Sequence, residues 1–128
     1  MVAGPIDEVN MQLSELIELQ RELDERHGFE TSFLDPAQKY AQLTKDIVGL
    51  FGEVGEFANL VKKMNLKLDR PAEYELEVGQ VEADMTEELA DVLIYLMRIS
   101  SILDVDLEAA TLKKIQSNVV RYAALRRT

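Results

Sequence analysis

Apolar residues recur at helical spacing in four stretches of the chain. In the first, about Glu8 to His27, Leu13, Leu16, Ile17 and Leu23 form one stripe, and Gly28 supplies a stop. Phe29 to Asp35 reads as a connection. Asp35-Pro36 then signals a new start, the acid as N-cap and the proline in a first turn that does not need its N–H. This second helix is expected to run to about Met64. Leu66 to Ala83 holds Asp69-Arg70-Pro71, a glycine and no sustained period, which predicts a long irregular segment. A third helix is expected from near Asp84 to about Leu103, with Leu89, Val92, Leu93, Leu96 and Ser100 on its buried face. Asp104-Val105-Asp106 interrupts the period, and Asp106 can cap a fourth helix to about Leu125, with Leu112, Ile115 and Val119 as its core stripe. Val78 to Glu82 alternates weakly, but no strand pattern competes. The fold class is all-α, with four principal helices in a bundle.

Length and charge narrow the picture. The chain has 128 residues, one domain's worth, so residues 1–128 are expected to share a single core. It carries 14 basic and 24 acidic residues, a net charge of -10, which would repel nucleic acid and anionic membranes. A phosphate-bearing ligand would then need a metal or a local basic cluster. No cysteine is present, so disulfides, zinc–thiolate sites and thiol chemistry are excluded. His27 is the only histidine, which removes every mechanism that needs two. Met1 to Asn10 shows no basic flank followed by an apolar run, and no uncharged stretch approaches a membrane span. A soluble, cytoplasmic protein is expected.

Several acids stand where acids are costly. From Ile47 to Val61 only Glu53 and Glu56 are charged, and from Leu89 to Met97 only Asp91 is. Glu53 and Glu56 are three apart, hence on one side of a helix, and Glu88 and Asp91 repeat the spacing on the third helix. Four carboxylates in partly dry surroundings repel one another, and a divalent cation would resolve the repulsion. An all-oxygen donor set favours Mg²⁺ or Mn²⁺ over Zn²⁺. The Glu-x-x-His pairs of di-iron bundles are absent, which argues against a ferritin-like redox site. The alternative is a non-enzymatic helical module whose acids form an ordinary wet face.

Other groups keep two readings each. Gly49, Gly52 and Gly55 leave either room for a ligand or a close helix contact. Lys114, Asn118 and Arg121 share one side of the fourth helix, as phosphate or sugar contacts or as a polar face near a helix C-terminus. Lys62, Lys63, Lys67 and Arg70 are a second basic group or a solvated face. Phe29 and Phe33 can stack on a base or close the end of the core. His27 reads as a helix-end residue.

GEVGEF at Gly52 to Phe57, EELADVLIYL at Glu87 to Leu96 and KIQSNVVRY at Lys114 to Tyr122, in that order, resemble the MazG-like all-α nucleoside triphosphate pyrophosphohydrolases. The dCTP pyrophosphatase-like branch is the most similar, and the resemblance covers about Asp24 to Tyr122. It implies a single MazG-like domain, a four-helix bundle completed by oligomerisation into a homodimer or homotetramer. It implies Mg²⁺-dependent cleavage between the α and β phosphates of a nucleoside triphosphate, giving a monophosphate and pyrophosphate. Glu53, Glu56, Glu88 and Asp91 match the family's metal ligands, with Glu53 or Glu56 as the acceptor of the attacking water's proton. Lys114, Asn118, Arg121 and Tyr122 match its phosphate- and sugar-side positions. A dUTP-preferring hydrolase of the same superfamily is the nearest alternative, because it would use the same metal acids.

Overall fold

The computed structural model describes residues 10–127. The expected first turn at Glu8, and all but the last residue of the stretch read for a leader, lie outside that range. Four α-helices follow in order: α1 Leu13–Arg26, α2 Pro36–Asp69, α3 Val78–Leu103 and α4 Leu107–Arg121, with a single 3₁₀ turn at Ala123–Leu125. No strand occurs among the described residues. No helix there is long and apolar enough to cross a membrane.

The helix ends follow local chemistry. Asp35 caps α2 by accepting a hydrogen bond from the Ala37 N–H at 3.0 Å, ahead of Pro36 in the first turn. Asp106 caps α4 through the Ala109 N–H at 2.9 Å. Beyond α1, Gly28 adopts φ +75°, a left-handed conformation that favours glycine. Asp104 takes φ 54° at the end of α3, which halts that helix before α4 begins.

The long irregular segment expected over Leu66 to Ala83 is not there. Asn65 to Asp69 continue α2, because leucine and lysine propagate a helix well, and Pro71 biases Arg70 out of helical geometry. On the other side, α3 starts at Val78, six residues earlier than expected, and Val81 is buried. The weak alternation at Val78 to Glu82 therefore belongs to the first turns of a helix. Only residues 70–77 connect α2 to α3.

The dominant packing is α2 against α3, with α1 laid on α3 and α4 touching α1. The first pair is antiparallel: Asp46 meets Arg98, Gly49 meets Tyr95, and Glu53 meets Glu88. Among the described residues the buried apolar side chains are Leu43, Val81, Met97 and Ile102. Of the stripes expected as core, Ser100 is buried and Leu13, Leu16, Ile17 and Val92 are half-buried, but the rest are open. Leu89, Leu93 and Leu96 on α3 are exposed, as is Leu23 on α1, and Leu112, Ile115 and Val119 on α4 are each 55% exposed. Periodicity shows that a face is apolar, not that the same chain covers it.

Candidate metal centre and cleft

Two helical features bring the acids together. Glu53 and Glu56 lie one turn apart on α2, and the antiparallel register sets Glu88 of α3 opposite them. One carboxylate oxygen from each of these three residues lies within 4.8 Å of the other two. The Oε2 atom of Glu88 is buried and has no hydrogen-bond partner. Its carboxyl pKa is pushed up to about 8, first by hydrogen bonding with Glu53, then by burial and by Glu56. Without a cation, the trio keeps a proton at neutral pH that an isolated glutamate would have lost. A buried orphan oxygen within a set of carboxylates fits an oxygen-bound divalent cation.

Asp91 lies nearly one turn beyond Glu88 and outside this close trio. It lines, with Glu53, a cleft of about 490 Å³ that runs along α2 and α3. Ile94 and Tyr95 form part of the α3 wall, and Phe29, from the connection after α1, closes one side. A Cβ on Gly49 would collide with the Tyr95 ring, so this glycine permits the close approach of α2 and α3. Around Gly52 and Gly55 a Cβ would meet open space.

The far end of the cleft holds a group that is not obvious from sequence. Arg98, 9% exposed, lies between Asp24 and Asp46, each 4% exposed. Its Nη1 is 2.8 Å from Asp24 Oδ2 and its Nη2 3.1 Å from Asp46 Oδ2. The Gln20 amide donates to Asp24 at 2.9 Å, and the Gln42 amide to Asp46 at 3.1 Å. Arg98 is the only charged residue between Asp91 and Asp104, a signal of the same kind as the apolar setting of Glu53. It is seven residues from Asp91, as Asp46 is from Glu53, so each pair shares a helix face. Asp24, among other charged residues in RELDERH, gives no such signal.

The remaining candidates lie elsewhere. Phe33 lines a separate polar recess with Arg21, Lys39 and Asp104. Lys114, Asn118, Arg121 and Tyr122 belong to α4 and its C-cap, and none of them lines the cleft within this chain. The Arg121 guanidinium sits over the Tyr122 ring, 5.2 Å from its centre. His27 caps α1, with Nδ1 2.7 Å from the Leu23 carbonyl and its ring stacked on Phe29.

Residues 42–119 match the MazG nucleotide pyrophosphohydrolase domain, more than half of the chain and all four candidate metal acids. The chain belongs to the MazG family. It is 33% identical to dCTP pyrophosphatase 1 of Rattus norvegicus over 85 residues, which is 66% of this chain and 48% of that protein. Identity to dCTP pyrophosphatase 1 of Mus musculus is 34% over the same length. The chain thus spans about half the length of the relatives it matches. Phe29, Phe33, Arg121 and Tyr122 fall outside the matched domain, whereas Lys114 and Asn118 fall inside it.

Proposed function

We propose that this MazG-family chain is a Mg²⁺-dependent nucleoside triphosphate pyrophosphohydrolase that cuts between the α and β phosphates. The supporting observation is the Glu53–Glu56–Glu88 cluster with its buried, unpartnered Glu88 oxygen, at one end of a cleft large enough for a nucleotide. These three residues, joined by Asp91, would hold the cation, with Mn²⁺ able to substitute. Held by these carboxylates, a divalent cation would offset the triphosphate's charge and lower the pKa of a water. Glu53 or Glu56 accepts the proton of the attacking water, since both carboxylates belong to the cluster that would hold the cation. The walls of the cleft orient the nucleoside, and Phe29 offers an aromatic face beside it.

The active assembly is a homodimer or homotetramer. This reading is supported by the exposed apolar faces of α3 and α4, which a second copy of the chain can cover. A second copy would also let Lys114, Asn118, Arg121 and Tyr122 reach a cleft that α4 does not line in its own chain. There they would bind the departing pyrophosphate and the sugar.

The test is incubation with each dNTP and NTP plus Mg²⁺, with product identification. Monophosphate and pyrophosphate are expected, and both should vanish in Glu56→Gln. Release of inorganic phosphate alone, or equal turnover by Glu56→Gln, would refute the reading.

A further inference from the structure

Asp24 makes two kinds of tie. Its carboxylate meets Arg98 Nη1 of α3 at 2.8 Å, which fastens α1 to the bundle. Its main-chain carbonyl accepts from the His27 N–H at 3.1 Å and the Phe29 N–H at 2.8 Å, which fastens the following connection to α1. One residue therefore stands between the buried Arg98 guanidinium and the backbone of Phe29, which borders the cleft.

Little else holds this corner. Leu13, Leu16, Ile17 and Leu19 are half-buried in the first half of α1, but Leu23 in its second half is exposed. Among the described residues Asp24 is the only buried one on α1. The last turn of α1 is thus docked by charge and not by apolar packing, the kind of segment that opens locally when its tie is cut. Phe29 is 59% exposed, so burial does not fix its ring. It also borders a second cavity, of about 300 Å³, lined by Glu25, Gly28, Glu30 and Thr31. The His27 ring stacked on it is itself exposed. With space on two sides, Phe29 keeps its place through its backbone, anchored at Asp24 before it and at the buried Thr31 after it.

We infer that Asp24 and Arg98 are positioning residues for the nucleotide cleft: their ion pair docks the last turn of α1 and so holds Phe29 where its ring can stack on the nucleobase. This role rests on the proposed hydrolase reading for what fills the cleft. Stacking on an aromatic ring accepts every base, so the pair sets nucleotide affinity and not base choice. The acid cluster belongs to α2 and α3, which Asp24 does not join, so the chemical step does not depend on the pair.

The experiment has two arms on the full chain. The first measures kcat and KM for dCTP, dATP, dUTP and dTTP with Mg²⁺ in the wild type, Asp24→Ala, Phe29→Ala and the double variant. Alanine suits a helix and leaves Arg98 paired with Asp46, and thermal melting checks that the fold is kept. Asp24→Ala should raise KM about tenfold for every base, the scale of one lost stacking contact, with kcat within about twofold. Phe29→Ala should do the same, and the double variant should be no worse than either single one, because Asp24 acts through Phe29. Asp24→Asn keeps an oxygen toward Arg98 and should recover part of the loss; if Asp24→Ala melts too low to assay, Asp24→Asn carries the same cycle. An unchanged KM, a fall in kcat as large as the rise in KM, or a further rise in KM when Asp24→Ala is added to Phe29→Ala overturns the inference.

The second arm needs neither metal nor turnover. The chain has no tryptophan, so Phe29→Trp places a single indole at the cleft wall. Its fluorescence anisotropy should fall when Asp24→Ala is added, and quenching by dCMP should then need about tenfold more nucleotide. Both changes support the inference even if no triphosphate is hydrolysed, in which case only the hydrolase reading fails. Unchanged anisotropy and quenching, or no quenching in Phe29→Trp alone, overturn the inference, and turnover in the first arm then leaves the hydrolase reading intact. No quenching together with no hydrolysis overturns both.

Discussion

Replacing Arg98 with methionine tests how the three packed helices are tied together. Methionine keeps most of the apolar stem and removes the guanidinium. The loss leaves Asp24 of α1 and Asp46 of α2, each 4% exposed, without the cation they share on α3. Removing one partner of a buried ion pair costs about 3–5 kcal/mol, and here two carboxylates are stranded. Against a typical stability of about 5–15 kcal/mol, that is a large fraction. For a chain of this size it corresponds to a fall in Tm of roughly 10–20 °C. Asp24→Asn and Asp46→Asn, added together to Arg98→Met, should recover most of the loss, because the asparagine carbonyls can still accept from Gln20 and Gln42 with no charge left to bury. The assay is thermal unfolding followed by far-UV circular dichroism, at one protein concentration because assembly shifts Tm. An Arg98→Met protein that melts within about 3 °C of wild type would refute the argument. So would a triple variant no more stable than the single one.

Other consequences follow from the same geometry. The Glu88 pKa of about 8 lies above its unfolded value of 4.5, so the folded state holds the extra proton between them. Stability in EDTA should therefore decline as pH rises from about 5 to 9, and Glu88→Gln should flatten the decline; an unchanged slope in that variant would refute the shared proton. Gly49→Ala should cost about 1–3 kcal/mol through the Tyr95 collision, seen as a lower denaturant midpoint. Gly52→Ala and Gly55→Ala, with open space at each Cβ, should be neutral or stabilising in the same titration. Sedimentation should show more than one copy per particle at micromolar concentration, and Ile115→Glu should shift it toward the 14.5 kDa monomer; a wild-type monomer would refute the proposed assembly.

How much was legible in the sequence depends on which physical effect wrote the signal. Helix type and starts at Asp35-Pro36 and Asp106 were readable because caps are local chemistry. The α2 end is misread because Asp69-Arg70-Pro71 and the missing period suggest a loop from Leu66, while Leu66, Lys67 and Leu68 favour helix and the proline restricts only the residue before it. Glu53, Glu56 and Glu88 were legible because charge is conspicuous in apolar helices. Asp24 was not, because its neighbours in sequence are charged too, and only the packing of α1 on α3 buries it against Arg98. Lys114 and Arg121 lie seven residues apart on α4, a spacing that puts them on one side, but sequence spacing cannot show which chain that side faces.

One arrangement connects the cleft to the exposed surface. The facing sides of two antiparallel amphipathic helices ordinarily make the core. Here the side where α2 meets α3 carries the acid trio at one level, Gly49 with Tyr95 at the next and the Asp46–Arg98 pair beyond. Polar groups occupy positions that leucines would otherwise fill, so this interface encloses a cleft. The apolar residues of the pair must then gather on other sides, and Val48, Phe51, Leu89, Leu93 and Leu96 are indeed exposed. Among the described residues few apolar side chains are buried, for the same reason that the chain has a cleft. Covering those outer faces with a second copy would supply the core that the cleft displaces, which ties the proposed assembly to the proposed chemistry.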